Sequence, residues 1–220
     1  MKTLIIIPAF NEAKNIPNLI NKIAELNYDY LIINDCSTDN SAQLLDQKAL
    51  NHLDLPINLG LASVTQMGFK YAADNDYDCA IVIDGDGQHP PFYINTVVQK
   101  ISDGYDYAIG SRYVECRKPW TLRMIGSRII SLVIRLKTGQ HVSDPTSGMR
   151  ALGKKTLIEF SKNMNFIAEP DALTYILKKK LSVCEVQVSM VDRDEGNSYF
   201  ENPIRTTKFM INVIMSILFM

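Results

Sequence analysis

Two aspartates one residue apart, Asp84 and Asp86, have the types and spacing that indicate metal chemistry. The segment 84–88 reads Asp-Gly-Asp-Gly-Gln and directly follows an apolar run. Two carboxylates and an amide oxygen suit a hard divalent cation that keeps open positions for phosphate oxygens. The glycines let backbone and ligand approach closely. An ordinary Asp-Gly turn is the alternative, but the position after a fully apolar strand favours the cation site.

A second polar cluster follows the first apolar run of the chain. Residues 8–12 read Pro-Ala-Phe-Asn-Glu, and Asn11 and Glu12 are predicted to open the next helix. Asparagine is a good N-cap and glutamate suits a first helical turn, so a helix cap is the alternative to a ligand-binding role.

A third cluster, residues 34–41, reads Asn-Asp-Cys-Ser-Thr-Asp-Asn-Ser and follows the second apolar run. Asp39 and Ser41 suit a turn and a helix cap. Asp35 is different, because an aspartate at the carboxyl end of a strand can accept hydrogen bonds from the base or ribose of a nucleotide.

The elements that must position these clusters alternate between strand and helix. Short apolar runs bounded by turn residues predict strands, and apolar residues three and four apart predict amphipathic helices. The predicted strands cover residues 4–7, 30–33, 53–55, 79–83, 107–109, 148–152 and 183–188. The predicted helices cover residues 12–26, 41–50, 61–75, 91–102, 122–136 and 170–180. Successive strand–helix units imply a mostly parallel sheet flanked by helices, with the polar clusters gathered at its carboxyl edge.

Charge is balanced over the 220 residues but separated along the chain. Lysine plus arginine is 23 and aspartate plus glutamate is 24, a net charge of −1 that disfavours nucleic-acid binding by the whole surface. Residues 72–106 carry seven aspartates against one lysine, whereas residues 112–137 carry seven basic residues against one glutamate. This separation indicates one region that holds a cation and another that meets an anion, with solvated charged faces as the alternative.

Cysteine and histidine usage argues against disulfides and zinc. The four cysteines lie far apart without a Cys-x-x-Cys pair, and the three histidines form no His-Glu-x-x-His pattern. A reducing compartment is therefore expected. The apolar run 4–7 is too short for a signal peptide, so we expect a cytoplasmic location.

Two segments indicate contact with a membrane surface. Residues 120–137 mix aliphatic residues with Arg123, Arg128 and Arg135, and the last two share a helical face. A basic amphipathic helix is typical of membrane-surface binding, with a core-facing helix as the alternative. Residues 209–220 include ten apolar residues, yet twelve helical residues reach about 18 Å, too short to cross a bilayer. An interfacial anchor, a truncated spanning helix or a dimer contact would each fit.

Five segments in a fixed order resemble the family 2 glycosyltransferases, inverting enzymes of the GT-A fold. They are residues 8–12, 35–41, 58–60, 84–91 and 110–113. The resemblance is closest to the branch with dolichyl-phosphate mannose synthase and bacterial polyprenyl-phosphate glycosyltransferases. It implies a Rossmann-like α/β fold with a C-terminal apolar helix. The expected division is a GT-A glycosyltransferase domain over residues 1–202 and the apolar helix over residues 203–220.

The resemblance also implies binding roles for individual residues. The residues it assigns to the nucleotide and donor pocket are Pro8, Ala9, Glu12, Asp35, Asp84 and Ser111. The ligands it assigns to a Mg²⁺ or Mn²⁺ ion are Asp84, Asp86 and Gln88.

Three further residues are implied to act in catalysis. Arg112 would lie near the donor diphosphate and the acceptor, and Asp144 matches the active-site aspartate that follows the acceptor segment. Arg193 begins an Arg-x-x-Gly-x-Ser segment that would close on the diphosphate. Tyr199 stands where the family often has lysine, which weakens that closing contact.

The predicted function is metal-dependent transfer of a hexose from a GDP- or UDP-sugar to a polyprenyl phosphate, by an enzyme peripheral to the inner face of the membrane. A phosphate acceptor is ionised near neutral pH and hardly needs a general base. A saccharide hydroxyl, the main alternative acceptor, would need one, and Asp144 is the candidate.

Two other classes of function fit the sequence less well. A sugar nucleotidyltransferase would carry a Gly-rich, Arg-containing loop after the first strand, which residues 8–12 lack. A nucleotide-sugar-binding subunit without turnover is disfavoured by the intact set Asp84, Asp86 and Asp144. A homo-oligomer is left open.

Overall fold

The computed structural model describes residues 1–162, 166, 168–191 and 203–219, and only the backbone of residues 122–123 and 203–206. The strands are β1 (Thr3–Ala9), β2 (Asp29–Asn34), β3 (His52–Asp54), β4 (Cys79–Val82), β5 (Tyr107–Ser111), β6 (Arg150–Gly153) and β7 (Val183–Gln187). The helices are α1 (Ile16–Ala24), α2 (Ser41–Gln47), α3 (Leu61–Asp74), α4 (Tyr93–Ser102), α5 (Leu122–Thr138), α6 (Lys154–Lys162), α7 (Glu169–Lys178) and α8 (Pro203–Phe219).

The strands form one mixed, mostly parallel sheet with the order β3-β2-β1-β4-β6-β5-β7. β1 is buried along its whole length, because helices cover both faces of the sheet. Successive side chains of a strand point to opposite faces, so Ile6 belongs to the core cluster with residues of α3 and α5–α8, while Ile5 belongs to the cluster with residues of α1, α2 and α4.

The carboxyl ends of three parallel strands meet at one edge. Ala9 of β1 pairs with Asn34 of β2, and Ile6 of β1 pairs with Val82 of β4. The polar clusters that follow these strands therefore lie side by side, as the sequence predicts. The α/β sheet flanked by helices is confirmed.

The structure moves one predicted helix boundary and adds two features that the sequence did not predict. Helix α1 begins at Ile16 rather than at residue 12, after a turn in which Asn15 and Ile16 donate their N–H groups to the Glu12 carbonyl. Strand β6 runs antiparallel to both of its neighbours, a direction that the sequence pattern did not specify. Helix α6 directly follows β6 and was not predicted.

Helix α8 packs its buried Val213 and Ile217 against the α5 side of the core. Gly126 of α5 lies directly against Met210, and the missing side chain permits the close approach of the two helices. Ser216 Oγ also donates to Asp171 Oδ2 of α7 at 2.9 Å. Among the described residues no helix combines the length and apolarity needed to cross a membrane.

Candidate active site

Arg112 and Asp144 form a two-pronged ion pair beside the carboxyl edge of the sheet. The Arg112 side chain donates from Nε to Asp144 Oδ2 at 2.7 Å and from Nη2 to Oδ1 at 2.9 Å. Asp144 is fully buried. Burial disfavours the charged guanidinium, but the hydrogen bonds and charge of Asp144 outweigh it and raise the pKa of Arg112. The two hydrogen bonds therefore hold the Arg112 and Asp144 side chains in one fixed geometry.

A second carboxylate holds the backbone of this pair. The Glu185 carboxylate of β7 accepts the Ser143 N–H at 2.7 Å and the Asp144 N–H at 2.9 Å. The loop that carries Asp144 is thus tied to the edge strand. Glu185 was not identified from the sequence, because only the strand pairing reveals that it faces this loop.

Asp84 and Asp86 lie in the turn that follows β4, and both are partly exposed. The Gln88 N–H donates to Asp86 Oδ1 at 3.0 Å. A side chain at Gly85 would put its Cβ 2.9 Å from the Pro8 carbonyl oxygen, so glycine lets this turn lie against the end of β1. The turn thereby adjoins the 8–12 cluster.

Two carboxylates and one amide oxygen fit a divalent cation that takes its remaining ligands from phosphate and water. No cluster of three or more His, Cys, Asp or Glu side chains suited to a metal occurs among the described residues. Metal binding by Asp84, Asp86 and Gln88 stays a prediction. The charge of Asp84 also contributes to raising the pKa of Arg112, which links the two halves of the site.

Asp35 accepts hydrogen bonds from two backbone amides of the 58–60 segment. Leu59 N–H donates to Oδ1 at 2.7 Å and Gly60 N–H donates to Oδ2 at 2.9 Å. Asp35 is 4% exposed. Each oxygen keeps a second lone pair, so a structural role and a ligand contact are compatible.

Glu12 is buried, and its Oε2 accepts a hydrogen bond from Asn15 Nδ2 at 2.6 Å. Its backbone N–H donates to Ser41 Oγ at 3.1 Å, which joins the 8–12 cluster to the 34–41 cluster. Pro8 and Ala9 are buried as the last residues of β1. These placements agree with a nucleotide pocket between the two clusters, although the ligand contacts themselves stay a prediction.

Asn11 does not cap a helix, contrary to the prediction. Its Oδ1 accepts hydrogen bonds from the Thr38 N–H at 2.8 Å and the Asp39 N–H at 3.2 Å. Its φ of 59° lies in the left-handed region, which asparagine tolerates better than most residues. Asn11 therefore clamps the loop after β1 to the loop after β2.

Ser111 is fully buried at the end of β5, where its Oγ accepts the Tyr113 N–H at 3.3 Å. It shapes the turn that carries Arg112. Arg193 lies outside the described residues, so its predicted contact with the diphosphate is not addressed. The Arg123 side chain also lies outside them.

A basic cavity of about 760 Å³ opens beside the ion pair, between the 113–120 loop and α5. Its lining combines cationic side chains, an aromatic ring and an aliphatic side chain. Among the lining residues are Arg117, Lys118, Trp120, Arg128, Leu132, Arg135 and His141. The prediction that Arg128 and Arg135 share one face of a helix is confirmed.

Lys118 is a cavity residue that the sequence did not single out. Its Nζ donates to Ser127 Oγ at 2.9 Å. Burial lowers the pKa of Lys118, Asp144 opposes that effect, and Arg128 and Arg112 lower it further. A partly desolvated ammonium group next to other cations is a strong site for an anion.

Arg128 braces the wall of this cavity. Its guanidinium donates to the Lys118 carbonyl at 2.6 Å and to the Pro119 carbonyl at 3.0 Å. It also lies 4.2 Å from the centre of the Trp120 ring. The loop is thus held against α5 by the same group that contributes positive charge.

Comparison with known proteins agrees with this architecture. The family model described as glycosyl transferase family 2 matches residues 4–160. The chain is 31% identical over 216 residues to a UDP-N-acetylglucosamine–dolichyl-phosphate N-acetylglucosaminyltransferase of Methanococcus voltae, covering 85% of this chain and 84% of that relative. It is 34% identical over 212 residues to a dolichol-phosphate mannosyltransferase of Pyrococcus furiosus, covering 90% of this chain and 59% of the relative.

The fold is also that of a solved glycosyltransferase. Glucosyl-3-phosphoglycerate synthase of Mycobacterium tuberculosis, in complex with Mn²⁺, uridine diphosphate and glucosyl-3-phosphoglycerate, superposes with a TM-score of 0.72 at 16% identity. The match covers 99% of this chain and 78% of that one. The predicted GT-A fold is therefore confirmed, and the chain belongs to glycosyl transferase family 2.

Proposed function

We propose that this chain transfers a hexose, with inversion, from a GDP- or UDP-sugar to a polyprenyl phosphate at the cytoplasmic face of a membrane. The observation that carries the proposal is the basic cavity beside the Arg112–Asp144 pair. Residues 1–202 would form the catalytic domain, and residues 203–220 would form a helix that contributes to membrane contact.

The donor side would be formed by the clusters after β1, β2 and β4. Asp35 and Glu12 would face the nucleoside, with Pro8 and Ala9 in the pocket wall. Asn11 supports this role indirectly, because it holds two of the clusters together. Ser111 would fix the start of the turn from which Arg112 reaches the diphosphate.

Asp84, Asp86 and Gln88 would hold Mg²⁺ or Mn²⁺ against the donor diphosphate. Such an ion, when bound, stabilises negative charge on the leaving diphosphate. Arg112 would add a fixed positive group to the same region, and Arg193 is proposed to add another. Preorganised charge of this kind lowers the barrier without a reorganisation cost during the reaction.

The acceptor phosphate would enter the basic cavity. Lys118, Arg128 and Arg135 supply positive charge there, while Trp120 and Leu132 offer an aromatic and an aliphatic surface at the same opening. A polyprenyl phosphate combines one anionic head with a hydrocarbon chain, so both kinds of lining would be used. The relatives named as dolichyl-phosphate transferases support this acceptor class.

The burial and hydrogen bonding of Asp144 favour a phosphate acceptor over a saccharide hydroxyl. Its two oxygens accept three hydrogen bonds from Arg112, counting the backbone N–H at 3.2 Å. With both oxygens engaged by Arg112 and the side chain fully buried, Asp144 is poorly placed to contact an acceptor hydroxyl. A phosphate needs no general base, so Asp144 is left to position Arg112.

Exposed apolar stripes support binding at the membrane surface. On α5 the stripe consists of Ile125, Ile129, Leu132 and Leu136. On α8 it consists of Ile211, Met215, Leu218 and Phe219. Cationic groups such as Arg135 and Lys137 lie on the same helix as the first stripe, which suits an anionic lipid surface.

The experiment is a panel of UDP- and GDP-hexoses with a polyprenyl phosphate in anionic liposomes, with Mg²⁺ or Mn²⁺. We expect one donor to give a glycolipid and the protein to sediment with the liposomes at low salt. Preference for a soluble oligosaccharide, with no binding to liposomes, would overturn the proposal.

A further inference from the structure

His89 is a buried residue of the 84–89 segment to which the proposed reaction gives no role. Its side chain is 2% exposed. The Asp84 backbone N–H donates to His89 Nδ1 at 3.0 Å, so one hydrogen bond ties the two ends of the segment together. Because the donor is an N–H group, Nδ1 carries no proton and the ring proton lies on Nε2.

This hydrogen bond lies where the pairing of β4 with β6 stops. Val82 pairs with Arg150, and two further residues along each strand bring Asp84 opposite Gly148. The Ile83 N–H donates to the Ile6 carbonyl of β1 at 3.1 Å, so the next amide of the chain points to the β6 side. His89 Nδ1 thus replaces the backbone acceptor that the Asp84 N–H would meet if the pairing of β4 with β6 continued.

The Gly148 backbone lies close to the His89 ring and the Asp84 carboxylate. A Cβ at position 148 would lie 2.8 Å from His89 Cε1 and 3.1 Å from Asp84 Oδ2. Any side chain there would displace the imidazole or the carboxylate. The imidazole, the Asp84 carboxylate and the Gly148 backbone therefore determine one another's positions.

We propose that His89 is a positioning residue for the divalent cation, an inference that rests on the metal role proposed for Asp84, Asp86 and Gln88. Its Nδ1 fixes the Asp84 backbone and thereby the direction of the Asp84 carboxylate. Closing the segment at both ends also restricts Asp86 and Gln88. Ligands that are held in place before the cation arrives lose less conformational freedom when it binds, so affinity rises.

The same segment is connected to the late part of the chain. The Val191 N–H donates to the Gln88 carbonyl at 3.2 Å, two residues before Arg193. By fixing the 84–89 segment, His89 also fixes the carbonyl that Val191 contacts.

The test measures Mn²⁺ affinity in two substitutions of His89. Each protein is titrated with Mn²⁺, in the absence and in the presence of UDP or GDP, and electron paramagnetic resonance reports the concentration of free Mn²⁺. In His89→Asn the side-chain oxygen can replace Nδ1 as acceptor, whereas His89→Leu has similar bulk and no acceptor. We expect His89→Leu to weaken Mn²⁺ affinity about tenfold or more and His89→Asn to stay within about threefold. His52→Leu removes a histidine from β3 and should leave the affinity unchanged.

Two further measurements separate positioning from a purely structural role. Gly148→Ala keeps the imidazole but crowds it, and should also weaken Mn²⁺ binding while the metal-free protein remains folded in thermal unfolding. In wild-type protein labelled with ¹⁵N-histidine, NMR should find the His89 proton on Nε2. These two results decide the question even if His89→Leu does not fold.

Any of three results would overturn the inference. Folded His89→Leu could bind Mn²⁺ as tightly as the wild-type protein, His89→Asn could bind it no more tightly than His89→Leu, or NMR could find the His89 proton on Nδ1. Wild-type protein that binds no Mn²⁺ under any of these conditions would remove the proposed metal site as well. Unchanged affinity in the variants, with normal wild-type binding, would remove only the role of His89.

Discussion

Arg112 holds the fully buried Asp144 through two parallel hydrogen bonds of 2.7 and 2.9 Å. The pair contributes to the pKa shift of Lys118, and Asp84 contributes to that of Arg112. It is therefore the electrostatic link between the proposed cation site and the proposed acceptor cavity. Arg112 would act on the diphosphate, and Asp144 would keep the Arg112 side chain in place.

Breaking this pair should cost both stability and activity. Arg112→Leu leaves a buried carboxylate without its partner, which should lower the free energy of unfolding by about 3–5 kcal/mol. Arg112→Leu combined with Asp144→Leu should recover much of that stability but none of the activity. Urea unfolding and initial transfer rates measure the two effects. An active double variant would show that the pair is structural only.

Asp86→Ala should remove most of the transfer activity and leave the fold intact. Asp86 is partly exposed in a turn, so the free energy of unfolding should change by no more than about 0.5 kcal/mol. Asp103→Ala removes a surface carboxylate elsewhere and serves as the matched control. Transfer rates over a Mn²⁺ titration, with thermal unfolding, are the measurements. Full activity of Asp86→Ala in the presence of a chelator would contradict the metal role.

Asp35→Ala should weaken nucleoside diphosphate binding and destabilise the protein. The substitution leaves the Leu59 and Gly60 amides without their acceptor, which costs about 1–3 kcal/mol for each group left unpaired. Calorimetry with UDP and GDP measures affinity, and urea unfolding measures stability. A loss of stability with unchanged affinity would restrict Asp35 to a structural role.

Arg135→Gln should raise the KM for polyprenyl phosphate without changing nucleotide affinity. A cationic side chain near an anionic lipid surface contributes about 1 kcal/mol, which corresponds to several-fold in affinity. Arg128→Gln should have a larger effect, because Arg128 also braces the 118–119 backbone. Lys22→Gln on α1 is the control. Equal KM values for all three variants would exclude the cavity as the acceptor site.

Acceptor binding should weaken as pH rises. The weakening should begin at a lower pH than it would if Lys118 had the pKa of an ordinary lysine. The pKa of Lys118 is lowered in the folded protein, so its positive charge is lost earlier as pH rises. Lys118→Arg keeps the charge and should shift the decline to higher pH. The pH profile of kcat/KM for the acceptor is the measurement, and identical profiles for the two proteins would argue against Lys118 at the phosphate.

The sequence predicts the parallel half of the sheet because the patterns that mark its strands are local in the chain. The apolar run in β1 and the polar clusters after β1, β2 and β4 can be recognised without knowing their neighbours. The antiparallel direction of β6 depends on pairing with β4 and β5, which are distant in sequence. The same limit applies to the site: Asn11 and Glu185 act across loops brought together only by the fold.

His89 and Lys118 show a different limit. Both lie inside segments that the sequence marks as functional: His89 in residues 84–91 and Lys118 in the basic stretch 112–137. Their roles follow from burial and from hydrogen bonds, which residue type and spacing do not specify.

The central claim is that the acceptor is a lipid phosphate. The most direct measurement is a competition in one reaction between a polyprenyl phosphate, the corresponding polyprenol and a soluble oligosaccharide, with the donor that the enzyme consumes and Mn²⁺ present. Mass spectrometry identifies the products. We expect the sugar on the polyprenyl phosphate, with the polyprenol unmodified. Sugar found mainly on the oligosaccharide hydroxyl would contradict the account.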